Sequence, residues 1–191
     1  MKRFLVCAFV ILLSGCVQAP PATVTPDLTF DNVPPVNLNV KTITVVDEYQ
    51  PPLKDPNIEQ NYSLSPAEAV KRLIGRQLVA AGTDKTLRVV IEDAAVIKQK
   101  LPTTEGFWGH FTQEPDERLA AHLALRFEVI NDDAPDLVIA HARVEADRNR
   151  SILKDASPAE RDGAFFGLTE ELMKDMRESF DTIVRNTFAH I

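Results

Sequence analysis

Cysteine is scarce in this sequence, and its placement excludes a disulfide-stabilised scaffold. The 191 residues contain two cysteines, Cys7 and Cys16, both close to the amino end. The rest of the chain has no thiol that could form a disulfide, bind a metal ion or act as a nucleophile. We therefore expect its stability to come from the packing of apolar side chains.

Glycine is also rare, and the motifs that depend on it are missing. The chain has seven glycines, and none of them forms a G-x-S-x-G nucleophile turn or a glycine-rich phosphate loop. We predict no catalytic residue and no bound cofactor. A hydrolase that uses acidic side chains such as Glu145 and Asp147 is a lesser alternative.

Basic residues are outnumbered, which excludes a further set of partners. The 21 lysines and arginines face 28 acidic residues, giving a net charge of −7. An acidic protein is poorly suited to bind nucleic acid, or to dock by charge on anionic lipid head groups. Any membrane association must then come from apolar groups.

The amino end supplies such a group. Lys2 and Arg3 precede an apolar run over residues 4–13, and the run leads into a lipobox formed by Leu13, Ser14, Gly15 and Cys16. This pattern predicts export, cleavage before Cys16, and a covalent diacylglycerol and N-acyl lipid, such as palmitate, on Cys16. Ten apolar residues at about 1.5 Å each cover only half of the ~30 Å hydrocarbon core, so the run is too short to span it. The alternative is an ordinary secretory signal peptide with a chance cysteine.

The signal divides the chain into three parts. Residues 1–15 are predicted to be the removed signal peptide, and residues 36–191 a single domain. Residues 16–35 contain Pro20, Pro21, Pro26, Pro34 and Pro35. A proline-rich stretch favours an extended conformation, so we predict a tether between the lipid and the domain.

Residues 36–191 predict an α+β fold in the order β-α-β-β-β-α. The predicted strands cover residues 36–46, with a bulge or bend near Lys41, and residues 87–97, 119–129 and 137–146. Two Ser-Pro-Ala-Glu sequences, at 65–68 and 157–160, have the composition of helix starts with a capping box. The first helix is expected to stop at Gly82. We predict a mainly antiparallel sheet of about four strands, with both amphipathic helices on one face.

Alternating side chains predict which face of the long hairpin meets the core. The residues expected to face inward are Leu119, Ala121, Leu123, Leu125, Phe127 and Val129, followed by Val138, Ala140, Ala142, Val144 and Ala146. A turn over residues 131–136 would pair Ile130 with Leu137 and Val129 with Val138. Large residues of one strand would then oppose small residues of the other.

The same register bears on a metal site. It places His122 opposite Glu145 and Arg126 opposite His141, so the two histidines lie four residues apart, about 13 Å at ~3.3 Å per residue. One ion needs ligands at about 2 Å, so we predict no metal site. A register shifted by two would bring the histidines diagonally closer.

One segment places large apolar side chains outside any predicted element. Phe107, Trp108 and Phe111 lie between and beside Gly106 and Gly109. These aromatic residues are our candidate binding site for a lipid tail or a protein partner. The alternative is a flap folded over one end of the core.

The overall layout resembles the auxiliary lipoproteins of bacterial ABC-type transport systems, the family that includes the lipoprotein of the paraquat-inducible lipid-transport complex. The matching features are the lipobox at Cys16, the tether, a strand around Val40, a helix from Ser65 through Arg72 and Leu73, the long strands 119–146, and a helical carboxyl end from Ser157. The family often has an aromatic residue early in the first helix, where this chain has Val70 or Leu73. The segment 107–111 also has no counterpart that we can match.

The resemblance implies a non-catalytic protein on the periplasmic face of the outer membrane, which assists lipid traffic and binds a protein of a transport or envelope complex. In bacteria that carry this family, a residue other than Asp after the lipidated cysteine favours sorting to the outer membrane, and Val17 stands there. A structural lipoprotein that tethers envelope components is the alternative. Both functions depend on the lipid anchor at Cys16.

Overall fold

Two long antiparallel strands form the centre of the fold, which a computed structural model describes for residues 27–103 and 114–188. The strands are β1 (Val36–Leu38), β2 (Thr42–Asp47), β3 (Leu78–Ala80), β4 (Lys85–Asp93), β5 (Val96–Lys100), β6 (Pro115–Asn131) and β7 (Ala134–Leu153). The helices are α1 (Pro66–Gln77) and α2 (Pro158–Ile183), with a short 3-10 turn at Glu59–Asn61 and a π-helical turn at Val184–Phe188. No helix in this part of the chain is both long and apolar enough to cross a membrane.

The main sheet has the order β2-β4-β6, with β7 on the far side of β6. β4 and β5 pair with successive halves of β6 and form one interrupted row. β2 is parallel to β4, and α1 forms part of the connection between them. The predicted α+β fold with a mainly antiparallel sheet is therefore confirmed.

The helices cover one face of this sheet. Val70, Leu73 and Ile74 of α1 join Leu168, Leu172, Met173 and Met176 of α2 in one core with the inward side chains of β6. The ring of Phe180 meets that of Phe127 edge to face, with centroids 5.3 Å apart. The six inward positions predicted for β6 are all buried. Their burial, at about 25 cal/mol per Å² of apolar surface, is the main source of stability.

Both predicted helix starts are present. The Ser65 hydroxyl accepts a hydrogen bond from the Glu68 amide at 3.3 Å. The box at Ser157 is complete, because its amide donates to Glu160 Oε2 at 2.7 Å while its hydroxyl accepts from the Glu160 amide at 3.3 Å. The Ser157 hydroxyl also donates to Glu160 Oε2 at 2.7 Å, and the hydrogen bonds that this hydroxyl and the Ser157 amide donate to the carboxylate lower the pKa of Glu160. Each box satisfies amide groups that the first helical turn leaves free.

The end of the first helix differs from the prediction. α1 stops at Gln77, and Leu78–Ala80 forms β3, which pairs in parallel with β1. Tertiary pairing thus replaces the last helical turn expected before Gly82. A Cβ atom at Gly82 would lie 2.5 Å from the carbonyl carbon of Asn39, so this glycine permits a close approach of two backbones rather than a helix stop.

The register of the β6–β7 hairpin also differs. A two-residue turn at Asp132–Asp133 pairs Asn131 with Ala134, and β7 then contains extra residues at 135–137 and at Ile139. As a result Val129 pairs with Ala140, two residues beyond the predicted partner Val138. Two is the period of a strand, so the shift leaves most of the inward face unchanged.

Part of the segment predicted as a tether contacts the domain. Leu28 is buried in the core, and Asp27 Oδ1 accepts a hydrogen bond from Arg72 Nη1 of α1 at 2.7 Å. Residues 27–33 therefore lie against the helices.

Candidate protein-binding surface

The depressions that reach core residues differ widely in volume. The pocket beside Leu38, Leu87 and Phe188 has a volume of about 10 Å³, and the one beside Tyr62 and Phe165 about 110 Å³. Sites for lipid-sized ligands typically measure roughly 300–1,000 Å³. The depressions of that size in the described residues are open grooves. One of them lies between Phe30 and α2, has a volume of about 470 Å³, and includes the core residues Leu28, Leu73 and Met173 in its lining.

The sheet face opposite the helices, which we call the open face, carries a connected set of ion pairs. Its members are Glu48, Arg88, Glu92, Arg126, Glu128, Arg143 and Glu145. Arg126 Nε lies 2.7 Å from Glu92 Oε1, and Arg143 Nε lies 2.6 Å from Glu92 Oε2. Hydrogen bonds from Arg143 and Arg126 hold the pKa of Glu92 below its ordinary value. The network contains four carboxylates and three guanidinium groups, and each of these charges has at least one partner of opposite sign.

The two histidines of the open face lie far apart. His122 pairs with Asp147, and its Nδ1 is 2.9 Å from Asp147 Oδ1, whereas His141 pairs with Glu128. The six-residue offset along β7 corresponds to roughly 20 Å at ~3.3 Å per residue. The observed register thus shifts the histidines away from each other, and the predicted pairings of His122 with Glu145 and of Arg126 with His141 are wrong. No group of three His, Cys, Asp or Glu side chains in residues 27–103 and 114–188 is arranged to hold a metal ion.

Apolar side chains are exposed where β7 begins. Leu137, Val138 and Ile139, which we call the β7 lip, are 54%, 40% and 43% exposed. Val138 was predicted to face the core, but the extra residues in β7 pair it with Ile130 on the open face. The two-residue Asp132–Asp133 turn and Pro135 are the sequence signals that could have revealed this irregular start.

A cleft adjoins the β7 lip. It has a volume of about 420 Å³ and is lined by Thr44, Thr86, Arg88, Ile130, Asn131, Asp132 and Pro135. Ile130, the pairing partner of Val138, connects its wall to the lip. Thr86 donates a hydrogen bond to Asp132 Oδ1 at 2.8 Å and so fixes the polar rim. An apolar patch beside a cleft with a polar rim is the usual form of a protein-binding site.

A buried carboxylate, that of Glu59, helps to hold a loop against the outer edge of β5. Glu59 is buried and accepts hydrogen bonds from Tyr49 Oη at 2.5 Å and from the Val96 amide at 3.1 Å. Burial and this hydrogen bond to Glu59 raise the pKa of Tyr49. The network holds residues 54–59 beside β5, where Asn57 bridges Ile97. The outer edge of β5 is therefore covered.

The residues that the sequence singled out are not tested by this geometry. The lipobox residues Leu13, Ser14, Gly15 and Cys16, and the aromatic residues Phe107, Trp108 and Phe111, lie outside the described residues. Their roles remain predictions. The β7 lip and its cleft were not anticipated, because the predicted register placed Val138 in the core.

Comparisons with known proteins name no family. No family model matches the chain, and no curated protein matches it. Among solved structures it is similar to a minor lipoprotein from Acinetobacter baumannii, at 11% identity and a TM-score of 0.36 over 77% of this chain and 92% of that one. It is also similar to rare lipoprotein B from Shewanella oneidensis, at 16% identity and a TM-score of 0.30 over 75% and 91% of the two chains. A Xanthomonas campestris protein of family DUF330 gives 9% identity and a TM-score of 0.34 over 79% and 85%. Similarity at this level carries no argument about function.

Proposed function

We propose that the chain is a lipid-anchored, non-catalytic accessory protein of the cell envelope, on the periplasmic face of the outer membrane. In this proposal the lipid on Cys16 holds the protein at the membrane, and the folded domain binds a protein component of a transport or envelope-assembly system. The observation that carries the binding role is the exposed β7 lip beside its cleft. The anchor is supported by the lipobox sequence alone.

A protein partner suits this site better than an apolar cargo. The groove of about 470 Å³ beside Leu28, Leu73 and Met173 is open to solvent and is also lined by Glu170, Glu171, Lys174 and Arg177. An acyl chain in it would therefore lie beside charged groups and stay partly exposed to water. The β7 lip is instead flanked by the charged side chains of the open face, including Arg88 on the wall of the cleft. Full burial of an exposed aliphatic side chain is worth about 1.5–3 kcal/mol, and half that is expected for side chains already half-buried. Three such residues suffice to anchor a modest interface.

The binding role is tested by photocrosslinking in intact cells. A photoreactive benzoylphenylalanine replaces Val138 in one variant and Leu153 in a matched control, since Leu153 is similarly exposed at the other end of β7. We expect one defined transport or envelope protein to be crosslinked from position 138 and not from position 153. Leu137→Asp should remove that crosslink at an unchanged melting temperature. Equal crosslinking from both positions would refute the β7 lip as the binding site.

The anchor is tested separately. Cys16→Ser should abolish acyl labelling and release the protein from the membrane fraction, because the thiol that accepts diacylglycerol is gone. Cys7→Ser is the matched control and should retain both properties. Unchanged labelling of the Cys16→Ser variant would contradict the lipoprotein assignment without bearing on the β7 lip.

A further inference from the structure

The sheet has two free edges in the described residues, and they differ in how they resist pairing with another strand. β7 carries charges along most of its length, including Arg143, Glu145 and Arg148, and it contains bulges. Such features protect an edge against association. β2 has no bulge in its pairing with β4, and its residues 42–46, Thr-Ile-Thr-Val-Val, are uncharged. Its one charged residue is Asp47, at the end of the strand.

The outer edge of β2 is accessible. β2 is the terminal strand of its sheet, and nearly all of its residues are exposed. Val45, whose partner in β4 is the core residue Val89, is still 38% exposed, so the helix layer does not extend over this edge. Among residues 27–103 and 114–188, no other strand pairs with this outer edge. Its backbone groups lie between β-branched side chains, which favour strand pairing.

The sequence of β2 is complementary to itself. If two copies pair antiparallel about Thr44, then Thr44 faces Thr44, Ile43 faces Val45 and Thr42 faces Val46. Every opposed pair then consists of β-branched residues, a favourable cross-strand combination. Moving the register by one pair, to centre on Val45, would instead place Ile43 opposite Asp47.

The charges at the two ends of the strand support the same register. Pairing about Thr44 places Lys41 of one copy opposite Asp47 of the other, and it does so twice because of the two-fold axis. Lys41 has a largely exposed side chain whose ion pair with Asp132 is long, at 3.9 Å. Asp47 already accepts Lys71 Nζ at 2.9 Å, and the second cation would approach from the free side.

We propose that two copies of this chain associate through antiparallel pairing of their β2 strands about Thr44, which joins their sheets into one. Six residues a side form an interface well below the ~1,600 Å² of a standard complex, so the dimer is weak and concentration-dependent. Thr44 also lines the cleft beside the β7 lip. The dimer therefore brings two partner-binding clefts together on one continuous open face.

Cysteine crosslinking tests the register. Thr44→Cys places two thiols directly opposite at the two-fold axis, whereas Thr42→Cys, on the same face of the same strand, separates them by four residues, about 13 Å. A disulfide requires Cα atoms about 4.4–6.8 Å apart, so we expect about tenfold more oxidised dimer from Thr44→Cys. Copper-phenanthroline oxidises the protein extracted in mild detergent, and the wild type measures the background of oxidised dimer.

Sedimentation velocity over a hundredfold concentration range gives a second readout without cysteine chemistry. Val45→Lys places a lysine opposite Ile43 and diagonal to Lys41 of the other copy, so it should abolish the concentration-dependent dimer. Val79→Lys is the matched control, because Val79 is equally exposed but lies in the small β1–β3 sheet. A wild type that stays monomeric at the highest concentration, or equal crosslinking of the Thr44→Cys and Thr42→Cys variants, would overturn the proposal.

Discussion

The two faces of the main sheet exclude water by different means. On the helix side, Val89 of β4 is fully buried beneath apolar side chains of the core. Its neighbour Val90 points to the open face, away from the helices, and is nevertheless only 1% exposed. Val90 pairs directly with Arg126, so the apolar stem of Arg126 lies on the same side of the sheet and can shield it. Charged side chains can thus close an apolar surface while their heads stay hydrated.

This difference indicates where the open face can bind. Most of it is occupied by charges that already satisfy one another, and a partner would have to break those contacts to reach the apolar surface below. The β7 lip and the edge of β2 lie outside this network, and both expose β-branched or aliphatic side chains. Binding is therefore expected at these two places rather than at the centre of the face.

The largest expected loss of stability comes from creating a cavity in the core between the sheet and the helices. Leu123 of β6 is fully buried on the face that the helices cover. Leu123→Ala therefore leaves a cavity that the surrounding side chains cannot fill completely. We expect the free energy of unfolding to fall by about 2–5 kcal/mol, measured by urea denaturation. Leu153→Ala, at an exposed position, is the control and should change it little. A small loss for Leu123→Ala would show that the core is loosely packed.

A matched pair of variants compares the two faces within one strand. Val89→Ala and Val90→Ala remove the same atoms from adjacent buried positions that face opposite sides. We expect Val89→Ala to lower the free energy of unfolding by about 2 kcal/mol and Val90→Ala by about half as much, since flexible arginine stems can close over the gap. Equal losses in denaturation experiments would mean that the ion-pair network is as rigid as the core.

A smaller effect is expected from removing the central cation of the open face. Arg126→Met keeps an apolar stem over Val90 but removes one partner of both Glu92 and Glu128. We expect a loss of about 1 kcal/mol at pH 7, because the pairs are partly hydrated and Arg88 and Arg143 remain.

The same variant has a defined pH dependence. The folded-state pKa of Glu92 is lowered, so its contribution to stability is complete above its unfolded pKa and is lost as the pH falls through the folded value. The difference between wild type and Arg126→Met should therefore shrink below about pH 4, near the ordinary pKa of a glutamate. A difference that stays constant down to pH 2 would show that Arg126 acts through packing alone.

Local patterns were enough to predict most of the elements. The capping boxes at Ser65 and Ser157 marked both helix starts, and the alternation in β6 identified its buried face. The bulge or bend predicted near Lys41 lies where the structure interrupts the strand, between β1 and β2, which belong to different sheets. These features depend on neighbours within a few residues, so the sequence alone contains the relevant information.

Long-range choices were harder to predict. α1 ends early because β3 pairs with β1, some forty residues away, and no local signal announces that competition. The hairpin register depends on bulges in β7, whose alternation looks regular when the partner strand is unknown. The β7 lip was missed for this reason, because the extra residue at Ile139 moves Val138 from the predicted inward face to the open face.

The contacts of Asp27 and Leu28 determine where mechanical load would enter the domain. The chain arrives beside α1, with Asp27 bound to Arg72 and Leu28 seated in the core. Tension on the preceding segment would be transmitted first to the helix layer, while the opposite side of the sheet would bear none of it. If residues before 27 anchor the protein to a membrane, the helices carry the mechanical load. The strands then remain available to bind other molecules.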